Sequence, residues 1–388
     1  MTHLRYLTAG ESHGRQLTAI LEGCPAGLAV STERIDRELA RRQQGYGRGE
    51  RQSIESDRVD IVGGVRYGQT TGAPVALVVA NRDAANWGDA LSVDEPGGDA
   101  SRVEPVLIPR PGHADLGGAL LYERDDIRDV IERASARETA ARVACGVIAK
   151  LLLEAIGCRV ASHVVAIGGV SSDGELTLER IAAVESDLCR CGDAEASVRM
   201  RSAIDAAREA GDTLGGIIEI IAFGCPAGIG TYVQGDRRLS AKLAAAVMSV
   251  PAMKGVEIGL GFAAANLPGS RVQDPLGYQE GAGYVRASNR AGGIEGGIST
   301  GEPIVVRAAM KPIATLANPL ASVELGTHAA VASRYERADV CAVPAAGIVL
   351  EAVLALALAD AVLYRFGGAT VADVIASVDA FRARTRLR

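Results

Sequence analysis

Aromatic side chains are scarce. Phe, Trp and Tyr make up 4% of the 388 residues, with one Trp and four Phe. A chain so poor in rings fills its core with Ala, Val, Leu and Ile, and its 46 glycines supply turns and close backbone approaches. The scarcity also removes the stacking series that nucleic-acid binding would use, and a net charge of -6 gives no general basic field. Lysine is nearly missing: residues 150, 242, 254 and 311 are the only four, against 37 arginines. A GC-rich genome accounts for most of that bias. The remainder suits bidentate anion binding, which Arg does better than Lys.

Further absences narrow the classes. No apolar h-region follows Met-Thr-His-Leu-Arg, so no signal peptide is expected. The longest apolar run near the C-terminus, Ala352–Ala359, is closed by Glu351 and Asp360 and is too short to span a membrane. Seven cysteines (24, 145, 158, 189, 191, 225 and 341) are irregularly spaced and include no CxxC. They predict reduced thiols in a cytoplasmic protein, with no zinc site and no disulfide framework. Five histidines include no HExxH, and neither a GxGxxG nor a GxxxxGK[ST] is present, which argues against metalloprotease, NAD-binding and ATPase domains. At 48% hydrophobic and 23% charged residues, the chain is globular with a large core.

Short motifs recur in order. Gly10-Glu-Ser-His-Gly14 matches Gly211-Asp-Thr-Leu-Gly215, and Gly23-Cys-Pro-Ala-Gly27 matches Gly224-Cys-Pro-Ala-Gly228. Gly68–Pro74 then matches Gly297–Pro303, and Glu132-Arg-Ala-Ser135 matches Glu336-Arg-Ala-Asp339. The spacing changes because residues 81–105, rich in Gly, Asp and Pro, form an extra loop-like stretch. We expect one domain over 1–388, built of two half-units of about 1–200 and 201–388 around a pseudo-twofold and a shared core. In such a repeat His13 corresponds to Leu214.

The secondary structure reads as mixed α+β. Strands are predicted at Leu17–Glu22, Val59–Val62, Val75–Val79, His163–Ile167, Gly216–Phe223 and Ile304–Arg307. Helices are predicted over Ser31–Gln44, Ser135–Ile156 and Pro344–Phe366. The second opens on a Ser135/Glu138 capping box, and Gly157 and Gly367 stop the last two. Strands followed by a long helix, twice over, suggest sheets with helices packed between or against them.

Several segments concentrate polar chemistry. Arg41, Arg42, Arg48 and Arg51 surround the glycine loop Gly45-Tyr-Gly-Arg-Gly49, where guanidinium groups can converge on a polyanion; a solvated surface loop is the plainer reading. Pro109-Arg-Pro-Gly-His-Ala-Asp115 holds Arg110 and His113 on a stiff backbone, and glycines flank the polar trio Glu11, Ser12 and His13. Arg133 to Thr139 opens a helix whose N-terminus attracts anions. Lys311-Pro-Ile-Ala-Thr315 follows a strand. These features support an arginine-lined pocket for a small polyanion, with two histidines available for proton transfer.

Taken together, Gly10-Glu-Ser-His-Gly14, Arg42 with Gly45-Tyr-Gly-Arg48, Arg110-Pro-Gly-His-Ala-Asp115, Glu132-Arg-Ala-Ser-Ala-Arg-Glu-Thr139, Lys254-Gly-Val-Glu-Ile-Gly259, Asn289-Arg-Ala-Gly-Gly293, Lys311-Pro312 and Asp339-Val-Cys-Ala-Val-Pro344 resemble the motifs of the chorismate synthases. The resemblance covers nearly the whole chain. It implies a β-α-β sandwich with internal pseudo-symmetry, a cytoplasmic homotetramer, and the anti-1,4-elimination of phosphate from 5-enolpyruvylshikimate 3-phosphate. It also implies reduced FMN, with an external flavin reductase expected and NADPH as an indirect reductant. On the same basis Arg42, Arg48, Arg51, Arg110 and Arg137 hold substrate, Arg42 and Arg48 being also open to NADP. His13 donates a proton to the departing phosphate, His113 serves the reduced flavin, and Asp339, with Ser12 and Ser135, assists proton movement. The flavin-contacting segments correspond to Arg133, Ala134, Ser135, Pro251, Ala252, Gly296, Lys311, Pro312, Ile313, Ala314, Thr315 and Arg337. Leu121, Pro251 and Leu260 depart from the family's common residues.

Overall fold

The computed structural model describes residues 3–49, 56–88, 90–94, 104–281, 283–336 and 338–386. Arg51 and Arg337 lie outside them. The first part of the chain runs β1 (Arg5–Ala9), β2 (Gln16–Glu22), α1 (Thr32–Gln43), β3 (Val59–Gly63), β4 (Val75–Ala80), α2 (Asp115–Tyr122), α3 (Arg128–Ala134) and α4 (Thr139–Ala155). The second part runs β5 (Arg159–Ile167), α5 (Ala194–Glu209), β6 (Gly216–Phe223), α6 (Leu239–Met248), β7 (Met253–Ile258), β8 (Ile304–Met310), α7 (Val343–Phe366) and α8 (Val371–Arg386).

Two antiparallel sheets result. The first has the order β1-β2-β4-β3, and the second β5-β6-β8-β7, extended beyond β5 by residues 170–171. Strand for strand the orders correspond. β5 precedes residue 200 yet pairs with β6 in the second sheet. Hydrophobic alternation sets the inward faces: Leu17, Ala19 and Leu21 on β2, Val75, Leu77 and Val79 on β4, and Ile304, Val306 and Ala308 on β8 are all buried.

Between the sheets lies a helical layer. α4 packs on β2 and β4, α7 packs on β5 and β6, and the two helices pack on each other, flanked by α1 and α6. Gly146 lets them pack tightly, since a Cβ there would stand 2.4 Å from the Ala352 Cβ. The whole is a sheet–helix–sheet sandwich of the α+β class. α7 is 24 residues long and, by length and composition, apolar enough to cross a membrane, which the short run Ala352–Ala359 does not convey. Here it is the central core helix, 89% buried over its most apolar window.

Its one charge in the middle, Glu351, is fully buried. Arg41 of α1, Lys150 of α4, Arg190 and the Ser162 hydroxyl all donate to it, at 2.5–3.2 Å. Burial opposes ionisation, but the three cations outweigh it and hold Glu351 well below the carboxylate range. Arg41 therefore belongs to an internal network, not to the anion-binding loop where its sequence neighbours suggested it.

Two local expectations are corrected. The 135–156 helix opens with a tighter 3-10 turn, Ala136–Glu138, which brings Arg137 N–H under the Ser135 hydroxyl. Glu138 consequently pairs with Arg142 instead of closing a capping box. The thiols of Cys158 and Cys225, expected free, form a disulfide. The pairing of Arg159 with Phe223 brings the flanking positions together, a proximity invisible at 67 residues' separation. The other five cysteines are free and buried.

Candidate active site

The N-terminal turns of α4 and α7 point into one cavity of about 520 Å³, within the ~300–1,000 Å³ common for small-molecule sites. Both turns add partial positive charge there. Around them gather Arg42 and Arg48 from α1 and its following loop, Arg110 and His113, Ser12 and His13, Arg137, and Lys254 and Lys311 at the edge of the second sheet. Val250, Met253, Met310, Ile313 and Val349 supply an apolar wall.

The arginines are held, not loose. Arg137 donates through Nε to Asn81 Oδ1 at 2.9 Å and through Nη1 to Asp57 at 2.6 Å. Arg42 donates to Thr139 Oγ1 at 3.0 Å and to the Ala136 carbonyl at 2.9 Å, with Asp57 3.5 Å away. Arg48 Nη1 donates to Asp339 at 2.6 Å, and the same carboxylate accepts from Gly49 N–H. Burial, partly offset by Asp57 and reinforced by Arg48 and Arg137, lowers Arg42 to about 10. An anion entering the cavity would relieve that crowding. Lys311, whose ammonium donates to the Gly112 carbonyl, is also lowered by burial and by neighbouring Lys254.

Each histidine is backed by a carboxylate. His13 Nδ1 lies 2.8 Å from Glu132 Oε1, and His13 N–H donates to Oε2 at 2.7 Å. The ring stacks on Trp87 at 4.1 Å. His113 Nδ1 makes a short contact with Asp115, which also accepts from Arg110 N, Nε and Nη2. Burial works against ionising Asp115, but His113 and Arg110 together hold it well below the usual range. Arg110 reaches Glu336 at 3.0 Å as well.

Most sequence-selected residues meet here: Ser12, His13, Arg42, Arg48, Arg110, His113, Ala134, Ser135, Arg137, Pro251, Ala252, Lys311, Ile313, Ala314, Thr315 and Asp339 all line the cavity. Ala252 does so with a φ of 67°, a strained value for a residue with a side chain. Pro312 sits within the lining segment but is itself exposed. Arg133 turns away, donating to the Gly10 and Thr8 carbonyls, and so pins the loop that carries His13. Gly296 lies on an exposed turn between Ile294–Glu295 and Ile298–Ser299, outside the lining. Sequence reasoning did not select Asp57, Asn81, Trp87, Asp115, Glu132 or Glu336. For Glu132 and Glu336 a signal existed, since each opens one copy of the repeated Glu-Arg-Ala motif.

Chemically, the cavity joins a cationic wall to an apolar one and presents two oriented imidazoles. The cationic side fits phosphate and carboxylates, and the apolar side with Ser135 and Lys311 fits a flat ring carrying an anionic tail. Among the described residues no cluster of His, Cys, Asp and Glu is arranged to hold a metal ion.

A family model described as chorismate synthase matches residues 4–363. A chorismate synthase of Geobacillus kaustophilus is 54% identical over 367 residues, covering 94% of this chain and 95% of that protein. One from Syntrophotalea carbinolica is 52% identical over 384 residues, covering 98% of each. A crystal structure of chorismate synthase superposes with a TM-score of 0.80 at 40% identity, covering 100% of this chain and 99% of that one. With a matching family model, relatives this similar over nearly their whole length and the same sandwich fold, the chain belongs to the chorismate synthase family.

Proposed function

We propose that this chain converts 5-enolpyruvylshikimate 3-phosphate into chorismate, breaking one C–O bond to phosphate and one ring C–H bond with no net redox change. The observation that carries the reading is the pair of carboxylate-backed histidines facing a cavity lined by Arg42, Arg48, Arg110 and Arg137. The substrate bears a phosphate and two carboxylates, and guanidinium groups fixed by Asp57, Asp339 and Asp115 are pre-aimed at such charges. His13 protonates the phosphate as it departs, and His113 stabilises the cofactor's reduced form. Asp339, with Ser12 and Ser135, assists proton movement. Arg51 belongs to the substrate set, and Arg133, Gly296, Pro312 and Arg337 to the flavin set, by family resemblance alone.

Reduced FMN, when bound, would supply the transferable electron that the loss of phosphate and ring hydrogen calls for, with no net change in its oxidation state. Ala134, Ser135, Pro251, Ala252, Lys311, Ile313, Ala314 and Thr315 would hold it; their support is the apolar wall beside an ammonium and a helix N-terminus. The proposal includes a cytoplasmic homotetramer and an external flavin reductase, with NADPH acting only indirectly. Anaerobic incubation with substrate tests it, one sample holding chemically reduced FMN and another oxidised FMN with NADPH. Chorismate in the first alone is the expected result. Chorismate in both would overturn the external reductant, and none in either, from folded protein, would overturn the activity.

A further inference from the structure

Trp87 is the chain's one tryptophan, and it comes from the stretch that interrupts the repeat. Its indole covers one face of the His13 imidazole, with ring planes 20° apart. The indole is itself fixed, donating from Nε1 to Asp83 at 3.2 Å. Glu132, 3% exposed, grips the same histidine from α3. Two donors of residue 13, the backbone N–H and Nδ1, converge on the two oxygens of this one carboxylate. The Ser12 N–H adds a third tie, to the Glu132 carbonyl at 3.1 Å. Leu214, which takes the place of His13 in the repeat, needs no such clamp, and Glu336, the repeat's equivalent of Glu132, serves Arg110 instead.

We propose that Glu132 and Trp87 are positioning residues for His13, fixing its ring so that Nε2 alone gives and takes the proton in the cavity. The inference rests on the reading of His13 as the group that protonates the departing phosphate. A carboxylate can only accept, so Nδ1 is the donor towards Glu132 and the proton delivered comes from Nε2: the Nε2–H bond breaks as an O–H bond forms on phosphate. A carboxamide cannot replace this carboxylate, because only one of its two heads accepts. The other head would face the backbone N–H or Nδ1 donor to donor, and the ring would turn or change tautomer. Stacking on Trp87 removes the remaining freedom about the Cβ–Cγ bond.

Two readouts on the full-length protein test this. A stacked imidazole quenches indole emission, and the emission of a single tryptophan needs no turnover to read. His13→Asn should raise it, and Glu132→Gln should raise it towards the same level. In a single turnover with reduced FMN, Glu132→Gln should slow chorismate formation by about 10²–10⁴-fold, the usual worth of general acid catalysis, with substrate affinity within about threefold. Trp87→Ala should slow it too, and Trp87→Phe, which keeps a ring on the imidazole, should recover most of the rate. Wild-type emission or a wild-type rate in Glu132→Gln overturns the proposal. Should that variant fail to fold, equal rates for Trp87→Ala and wild type overturn it. A wild-type protein that makes no chorismate overturns the underlying activity instead, while the emission series still decides whether Glu132 orients the ring.

Discussion

Asp115→Asn tests whether the Arg110–His113 arm is built around one buried carboxylate. Asp115 is 0% exposed and accepts four hydrogen bonds, from Arg110 N, Nε and Nη2 and from His113 Nδ1. Asparagine keeps one acceptor oxygen. With that oxygen on the Arg110 N and Nε donors, its amide nitrogen faces Nη2, donor against donor, and His113 must switch tautomer to meet it. Removing one partner of a buried ion pair costs about 3–5 kcal/mol. Arg110 keeps Glu336, a more exposed partner, so the low end applies, about 3 kcal/mol. Spread over the unfolding entropy of a 388-residue chain, that lowers Tm by about 4 °C. The assay is scanning calorimetry at one scan rate, with Asp129→Asn as control. Asp129 pairs with Arg124 on the surface, where such a pair is worth about 0–1 kcal/mol. In the same variant the single-turnover rate should fall by about 10²-fold or more, because His113 presents the wrong nitrogen. A Tm within 1 °C of wild type, as an approximate scan error, together with an unchanged rate, would refute the role given to this carboxylate.

Inorganic phosphate at about 100 times its Kd should stabilise the protein by about 2.7 kcal/mol, read as a rise in Tm of about 3 °C. Arg48→Met should abolish that rise, since Arg48 lines the cavity beside Arg42. Glu351→Gln should cost about 3–5 kcal/mol, measured by thermal unfolding, because Arg41, Lys150 and Arg190 would be left around a neutral group. The pH dependence follows with a definite sign. Glu351 and Asp115 titrate below their unfolded values of 4.5 and 3.8, so their contribution is complete above those values. As pH falls below about 4 the unfolded chain takes up protons first, and stability drops. Glu351→Gln should flatten this acid limb; an acid limb as steep as that of wild type would refute the assignment.

The parts of this fold that were legible in the sequence are those governed by neighbours in the chain. Leu17, Ala19 and Leu21 alternate because a strand buries every second residue, and β6 ends where Gly224 takes a positive φ. The motif glycines and prolines likewise located His13, Arg110 and His113 in loops, the helix start located Ser135, and all four do meet at one cavity. What stayed illegible depends on partners far away along the chain. Arg41 and Arg42 are adjacent, yet one donates to Glu351, 310 residues on, and the other reaches Thr139 at the cavity. No local pattern separates them; one helical step of about 100° sends the first into the core and the second into the site. Asp57 has no motif around it, and its role exists because Arg42 and, 80 residues later, Arg137 fold against it. Trp87 shows the same limit from the other side. A glycine-rich insertion reads as loop, and only the packed chain reveals that its single ring lies on the histidine that a repeat comparison had marked as unpaired with its counterpart Leu214. In this molecule, then, the groups that line the cavity were announced by their backbone, while the groups that hold them there were chosen by the fold.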